Sequence, residues 1–158
     1  MSYKINIGKG DNGFTDFCGR RVKKTSDAIL LMSKLDELSA MLGVIRAKCK
    51  NLDKDFYKIQ KDISLICGNI AGYVDNKEIE KIITEIEKKI KENSDINLNK
   101  FVFFGDKLIP AEINLLRAKT RICEIFAWKI KKKVSAVYLN RLSDFLFITA
   151  IQFEKISR

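Results

Sequence analysis

The sequence predicts an all-α protein, a five-helix antiparallel bundle preceded by a glycine-rich, basic N-terminal loop. Three observations carry this expectation. Apolar residues recur at steps of three and four through five segments, no strand-like alternation outlasts a few residues, and the single proline falls where a helix begins. The chain has 158 residues, 46% of them hydrophobic, enough to bury one core without staples. One domain over 1–158 is expected, with a segment 1–25 ahead of a bundle 26–158.

The leader, "GKGDNGFTDFCGRRVKK" from Gly8 to Lys24, spaces four glycines among basic residues and lacks the apolar alternation of a good strand. The first helix follows, its buried stripe written by Leu31, Leu35, Leu38, Leu42 and Ile45, with Thr25 or Ser26 placed to cap it. "NLDK" interrupts, and Phe56, Ile59, Ile63, Ile66 and Ile70 repeat the pattern up to "GYVDN". The third helix sets Ile79, Ile82, Ile83, Ile86 and Ile90 among Glu and Lys, so its outer face is solvated, and it ends in "KENSDINLN". The aromatic stretch "KFVFFGDKLIP" leads to Pro110 and a fourth helix expected from Ala111 to Lys133. The fifth, from about Val134 to Ile156, is apolar round much of its circumference (Leu139, Leu142, Phe145, Leu146, Ile148, Phe153) and is expected to be the most buried.

Composition narrows the chemistry. The chain contains no histidine, which excludes serine–histidine and cysteine–histidine hydrolysis and most transition-metal sites, so no metal centre of its own is expected. Cys18, Cys49, Cys67 and Cys123 lie far apart with no C-x-x-C pair and read as reduced thiols. No secretory leader and no apolar run near bilayer length is evident, so a cytoplasmic protein without membrane attachment is expected. A net charge of +10 favours anions, among them phosphates and nucleic acid. Basic residues scattered among acidic partners, with the aromatics on apolar stripes, speak against a nucleic-acid module.

Several polar residues do not belong on such apolar faces. Arg117, Arg121 and Glu124 form a line on the fourth helix, where Arg121 and Glu124 are spaced for a local pair. Asp36 and Glu37 break the first helix, and Asn140, Arg141 and Asp144 the fifth. Charges in helices this apolar are paired or functional, because an unpaired buried ion costs several kcal/mol. An ion pair between Asp36 and an arginine of helix four satisfies both. The leader offers backbone N–H groups of glycine turns with Lys9, Arg21, Lys23 and Lys24 near a helix N-terminus, a setting for phosphate, although neither a Walker sequence nor a dinucleotide fingerprint is present.

Taken in order, "GDNGFT", "KLDELSAMLG", "FVFFG", "RAKTRICE" and "YLNRLSDFLF" resemble the PduO-type ATP:cob(I)alamin adenosyltransferases over nearly the whole chain. The resemblance implies a five-helix bundle that assembles as a homotrimer, with ATP and cobalamin at subunit interfaces. It implies a reaction in which the cobalt of cob(I)alamin attacks the 5′ carbon of ATP and triphosphate leaves, with Mg2+ accompanying the ATP. A cobalamin reductase and an adenosylcobalamin-dependent enzyme are the implied protein partners. Because the nucleophile belongs to the cofactor, the protein supplies position and charge, and no histidine is required.

Carried over position by position, Gly10, Asp11, Gly13 and Thr15 match the loop that folds over the phosphates, with Lys9 beside them and Lys24 as its basic partner. Arg121, Glu124 and Asn140 match nucleotide-binding positions, and Asp36 and Arg117 an ion pair that shapes the site. Phe101 matches the aromatic residue that displaces the lower axial base of cobalamin and leaves a four-coordinate cobalt. The chain departs from the family pattern at Ile7, Thr25 and Ser33, and at Ile122 and Ile125, where arginines are usual. These losses imply weaker phosphate contacts and leave a binding or cofactor-delivery protein on the same fold as the alternative.

Overall fold

The computed structural model describes residues 7–93, 95 and 101–155. Five helices form: α1 (Asp27–Lys48), α2 (Asp53–Ile70), α3 (Asn76–Asn93), α4 (Leu108–Lys129) and α5 (Lys133–Lys155). The stripes read from the sequence are buried, except that Ile83, Ile90, Ile148 and Phe153 are only partly so. Leu31, Leu35, Leu38, Leu42 and Ile45 of α1 meet Phe56, Ile59, Ile63 and Ile66 of α2, Ile79, Ile82 and Ile86 of α3, and the inner faces of α4 and α5 in one core.

Ion pairs and hydrogen bonds fix the direction of every helix. Asp27 with Lys129, Glu37 with Lys119 and Lys48 with Glu112 set α1 and α4 antiparallel. Lys58–Glu85 and Lys89–Asp55 do the same for α2 and α3, and Ser135–Asn69 and Tyr138–Asp62 for α5 and α2. Arg141–Glu87 and Gln152–Asn93 instead run α3 and α5 side by side in the same direction. The helices close a ring in the order α1, α4, α5, α3, α2. A ring of five up-and-down helices cannot alternate all the way round, so one like-directed pair is unavoidable, and α3 with α5 is that pair.

Three boundaries differ from the sequence reading. The leader is not strandless: β1 (Phe14–Phe17) and β2 (Arg20–Lys23) pair antiparallel, Phe14 with Lys23 and Phe17 with Arg20. The two-residue turn, Cys18 at φ 53° and Gly19 at φ 72°, has both residues left-handed, the conformation that matches the twist of a hairpin. Cys18 Sγ donates to the Ala71 carbonyl at 2.9 Å and pins the hairpin tip to the end of α2. Helix α4 starts at Leu108, so Pro110 lies in its first turn, where Ala111 N–H makes the first bond, to Lys107 O. It stops at Lys129 rather than Lys133 because Lys131 turns left-handed (φ 59°) and Lys132 N–H closes back on Ala127 O. Ser26 takes the N-cap position of α1 through its backbone alone, and Ile156, the expected end of α5, lies outside the described residues.

Helix α5 has the length and mean hydropathy, 1.3, to suit a bilayer, but 61% of that window is buried inside the bundle, so the core uses its apolarity. One acid sits in this core. Asp62, 4% exposed, accepts Lys58 Nζ at 2.6 Å and the Tyr138 hydroxyl at 3.0 Å. Desolvation dominates and lifts its carboxyl above the ordinary value, with the Lys58 hydrogen bond opposing. The folded state therefore holds the Asp62 proton more tightly than the unfolded chain, and stability falls as pH rises from the ordinary carboxylate value through the raised one. Asp62→Asn keeps an acceptor for Tyr138 and removes the charge. It is expected to equal or exceed the wild type at neutral pH, by up to about 1 kcal/mol, and to lose that advantage below about pH 4, as urea unfolding at both pH values would measure.

Candidate active site

The hairpin builds the first part of the site. Asp11 N–H donates to Gly8 O and Gly13 N–H to Gly10 O, each at 3.2 Å, and Lys24 N–H closes on Gly13 O at 2.9 Å. Gly13 stands at φ +78°, a left-handed turn that a side chain would strain. Gly10 serves by its missing side chain, since a Cβ there would lie 2.6 Å from Lys24 Nζ. The ammonium of Lys24 thus rests on the glycine turn. Beside it, Lys9, Gly10, Phe14, Thr15, Asp16 and Arg21 line a cavity of about 150 Å³.

Two cations in this cavity share one acid. Lys9 Nζ is 2.5 Å from Asp16 Oδ2, and Arg21 Nη1 is 3.2 Å from Oδ1, while Arg21 Nη2 donates to Lys9 O at 2.7 Å and to Asn12 Oδ1 at 3.1 Å. Together they hold the exposed Asp16 carboxyl below its ordinary value. Asp16 and Asn12 were not singled out in the sequence, because a short polar side chain in a brief strand or a turn carries no signal of what it faces.

The second part is aromatic. Phe101, Val102, Phe103, Phe104, Asn114, Arg117 and Phe147 surround a cavity of about 390 Å³ at the start of α4. Phe104 meets Phe147 edge-on, centroids 6.3 Å apart, while Phe101 and Phe103, 5.2 Å apart, stand 84% and 83% exposed. Phe101 is therefore not a core residue. An aromatic pair this open presents apolar surface to whatever enters the cavity.

Asp36 and Arg117 are not paired within the chain. Arg117 Nε donates to Asn114 Oδ1 at 2.9 Å and its guanidinium lies 5.8 Å from the Phe147 centroid, and the acid of α1 that does reach α4 is Glu37, on Lys119 at 2.6 Å. The reason is register: the three α1–α4 ion pairs set Asp36 level with Thr120 and Arg121, a turn away from Arg117, and it faces outward. The local Arg121–Glu124 pair is also absent among the described residues, as Glu124 instead accepts Trp128 Nε1 at 3.2 Å. Asn140 Oδ1 accepts Arg141 Nη1 at 2.9 Å. The contacts of Lys107 with Glu154 and of Arg117 with Phe147 place Asn140 at the height of Arg121 and Glu124.

The chain thus gathers Lys9, Gly10, Asp11, Gly13, Thr15 and Lys24 at the hairpin, and Phe101 with Arg117 at the aromatic cavity. Asp36, Arg121, Glu124 and Asn140 join neither cavity and stand at mid-height on α1, α4 and α5. The hairpin caps the end where α4 finishes, and from Lys129 back to Arg117 is about 18 Å of helix. On the outer wall between these places, α1 exposes Leu30 and Val44, and α4 exposes Leu108, Leu115, Ile122, Ile125 and Trp128.

The sequence profile described as Cobalamin adenosyltransferase matches residues 5–153, a span that takes in both the hairpin and the aromatic cavity. The chain belongs to the cobalamin adenosyltransferase family. Among curated relatives of this adenosyltransferase, the corrinoid adenosyltransferase of Bacillus subtilis (strain 168) is 25% identical over 163 residues, covering 93% of this chain and 84% of its own. That of Mycobacterium leprae (strain TN) is 27% identical over 171 residues, covering 92% and 88%. The fold is shared with variants of the PduO-type ATP:corrinoid adenosyltransferase of Lactobacillus reuteri. One, complexed with cobalamin and ATP, superposes with a TM-score of 0.83 at 21% identity over 93% of this chain and 89% of that one. Another, complexed with ATP, gives 0.81 at 19% identity, covering 92% and 91%. The family and the helical fold read from the five ordered motifs are those found.

In this adenosyltransferase the Gly10 cradle is open to a direct test. Gly10→Ala is expected to push the Lys24 ammonium aside while the hairpin stays folded, because the clash falls on the free end of a flexible side chain. Loss of one charge-assisted phosphate contact, about 1.5 kcal/mol, would raise KM for ATP about tenfold with an unchanged melting temperature. Initial rates over an ATP series, beside a thermal melt, check both.

Proposed function

We propose that the chain transfers the 5′-deoxyadenosyl group of ATP to the cobalt of cob(I)alamin. The cobalt lone pair forms the Co–C5′ bond, the C5′–O bond breaks, and triphosphate leaves with the electron pair, giving adenosylcobalamin. The observation that carries the reading is the aromatic cavity, where Phe101 stands almost fully exposed over a floor of Phe104 and Phe147 beside one arginine. A corrin ring offers broad apolar faces to such a surface, and an aromatic edge against its lower face excludes an axial ligand rather than reacting.

The hairpin is assigned to the triphosphate. Lys9 and Lys24 neutralise it, the Gly10–Gly13 turn offers backbone N–H groups, and Asp11 and Thr15 complete the loop. Arg121, Glu124 and Asn140 take the rest of the nucleotide. Among the described residues no group of three or more thiol or carboxylate side chains is placed to hold a metal, so Mg2+ is assigned to the phosphates it accompanies.

A homotrimer joins what one chain separates. The exposed apolar wall of α1 and α4 carries Arg121, and a neighbouring copy laid on it covers Leu115, Ile122 and Ile125. Asp36, exposed on α1, is assigned to meet Arg117 of a neighbouring copy. The protein is assigned to the cytoplasm, where a reductase supplies cob(I)alamin and an adenosylcobalamin-dependent enzyme receives the product.

Incubation with ATP and chemically reduced cobalamin tests the proposal. Growth of the cobalt–carbon absorption band is expected, and its absence where a control adenosyltransferase succeeds would overturn the reading. Ile122 and Ile125, 43% and 64% exposed where the resemblance has arginines, favour as second reading a corrinoid-binding or delivery protein. Tight adenosylcobalamin binding without ATP binding would mark that outcome, and ordinary turnover would exclude it.

A further inference from the structure

We propose that Asn114 is a positioning residue, the one that aims Arg117 into the aromatic cavity. Asn114 and Arg117 stand three apart on α4, so both side chains leave the same face of the helix, and both line the cavity with Phe101, Phe104 and Phe147. Asn114 Oδ1 takes the Nε–H of Arg117 at 2.9 Å in a half-buried setting. Phe147 limits the guanidinium from another side, its ring centroid 5.8 Å away.

The choice of nitrogen matters. An arginine bound through Nε keeps both Nη groups, the fork that engages an acceptor in two parallel bonds, and among the described residues neither Nη of Arg117 is hydrogen-bonded. A partner within the chain bound through both Nη groups would occupy that fork. A neutral amide one turn back does not. Asn114 thus fixes the long arginine stem against one wall and leaves its charged end presented, at the cost of no charge of its own. The assignment rests on the reading of this cavity as the corrin-binding face.

The test compares Asn114→Leu, which keeps the size and removes the acceptor, with Asn114→Asp, which restores an acceptor for the same Nε–H. The Leu variant is expected to lose about tenfold or more in kcat/KM for cob(I)alamin, with KM for ATP within about twofold, while the Asp variant stays within about threefold of wild type. Thermal melts of all three should coincide, because a purely structural role would move the melt and spare the difference between the two variants. An active wild type with a Leu variant of equal kcat/KM overturns the proposal, as does a loss in the Leu variant that the Asp variant shares. Where the wild type makes no adenosylcobalamin, the proposed activity fails, and a cob(II)alamin titration decides Asn114. About tenfold weaker binding by the Leu variant alone supports it, and equal binding by all three, or none by any, overturns it.

Discussion

Phe101→Ala is expected to cut kcat/KM for cob(I)alamin about ten- to a hundredfold while leaving KM for ATP and the melting temperature as they are. The magnitude follows from burial: covering a phenylalanine side chain contributes about 1.5–3 kcal/mol, on the proposed reading gained only when a corrin ring closes over it. The asymmetry follows from exposure. A ring 84% open to water in the free protein supports no core, so its removal has nothing in the fold to disturb. Electron paramagnetic resonance of cob(II)alamin with ATP present is the sharper readout, since the variant should fail to form the four-coordinate cobalt species. A variant that melts early and keeps that species would assign Phe101 to packing with Phe103 instead.

Arg121→Ala should act on the other substrate. Arg121 is exposed on the outer wall of α4 and makes no ion pair among the described residues, so the isolated chain loses little stability without it, within about 0.5 kcal/mol. Its expected partner is the nucleotide, where a charge-assisted hydrogen bond contributes about 1.5–3 kcal/mol, or about ten- to a hundredfold in KM for ATP. Arg121→Lys should retain part of this because it keeps the charge and loses the fork. Initial rates with cob(I)alamin saturating separate the outcomes, and equal KM for all three proteins would remove Arg121 from the nucleotide site.

The sequence made the bundle legible because its buried stripes are long. Five isoleucine- or leucine-marked faces at helical spacing leave no other way to bury that surface. It did not disclose the hairpin, whose strands are four residues long and partly charged and whose turn is Cys-Gly rather than Asn-Gly. The left-handed Lys131 that stops α4 was equally hidden, since a lysine gives no warning of a helix end. In the site, the glycine loop with Lys24 and the aromatic wall could be read from motifs. The unpaired state of Asp36 could not, because it depends on the register of α1 against α4, which three ion pairs set and no local pattern encodes. Asn114 escaped notice for a related reason: its meaning lies in which nitrogen of Arg117 it holds.

On the proposed assignment, the separation of hairpin and aromatic cavity along the bundle turns turnover into a matter of concentration. With ATP assigned to the hairpin and the corrin to the aromatic cavity, the proposed trimer is what joins them, so activity per chain should decline on dilution as encounters between copies become rare. By the same mass action, ATP and corrinoid bound between copies, as proposed, would act as glue: substrate supply would set how much enzyme exists as well as how fast it runs.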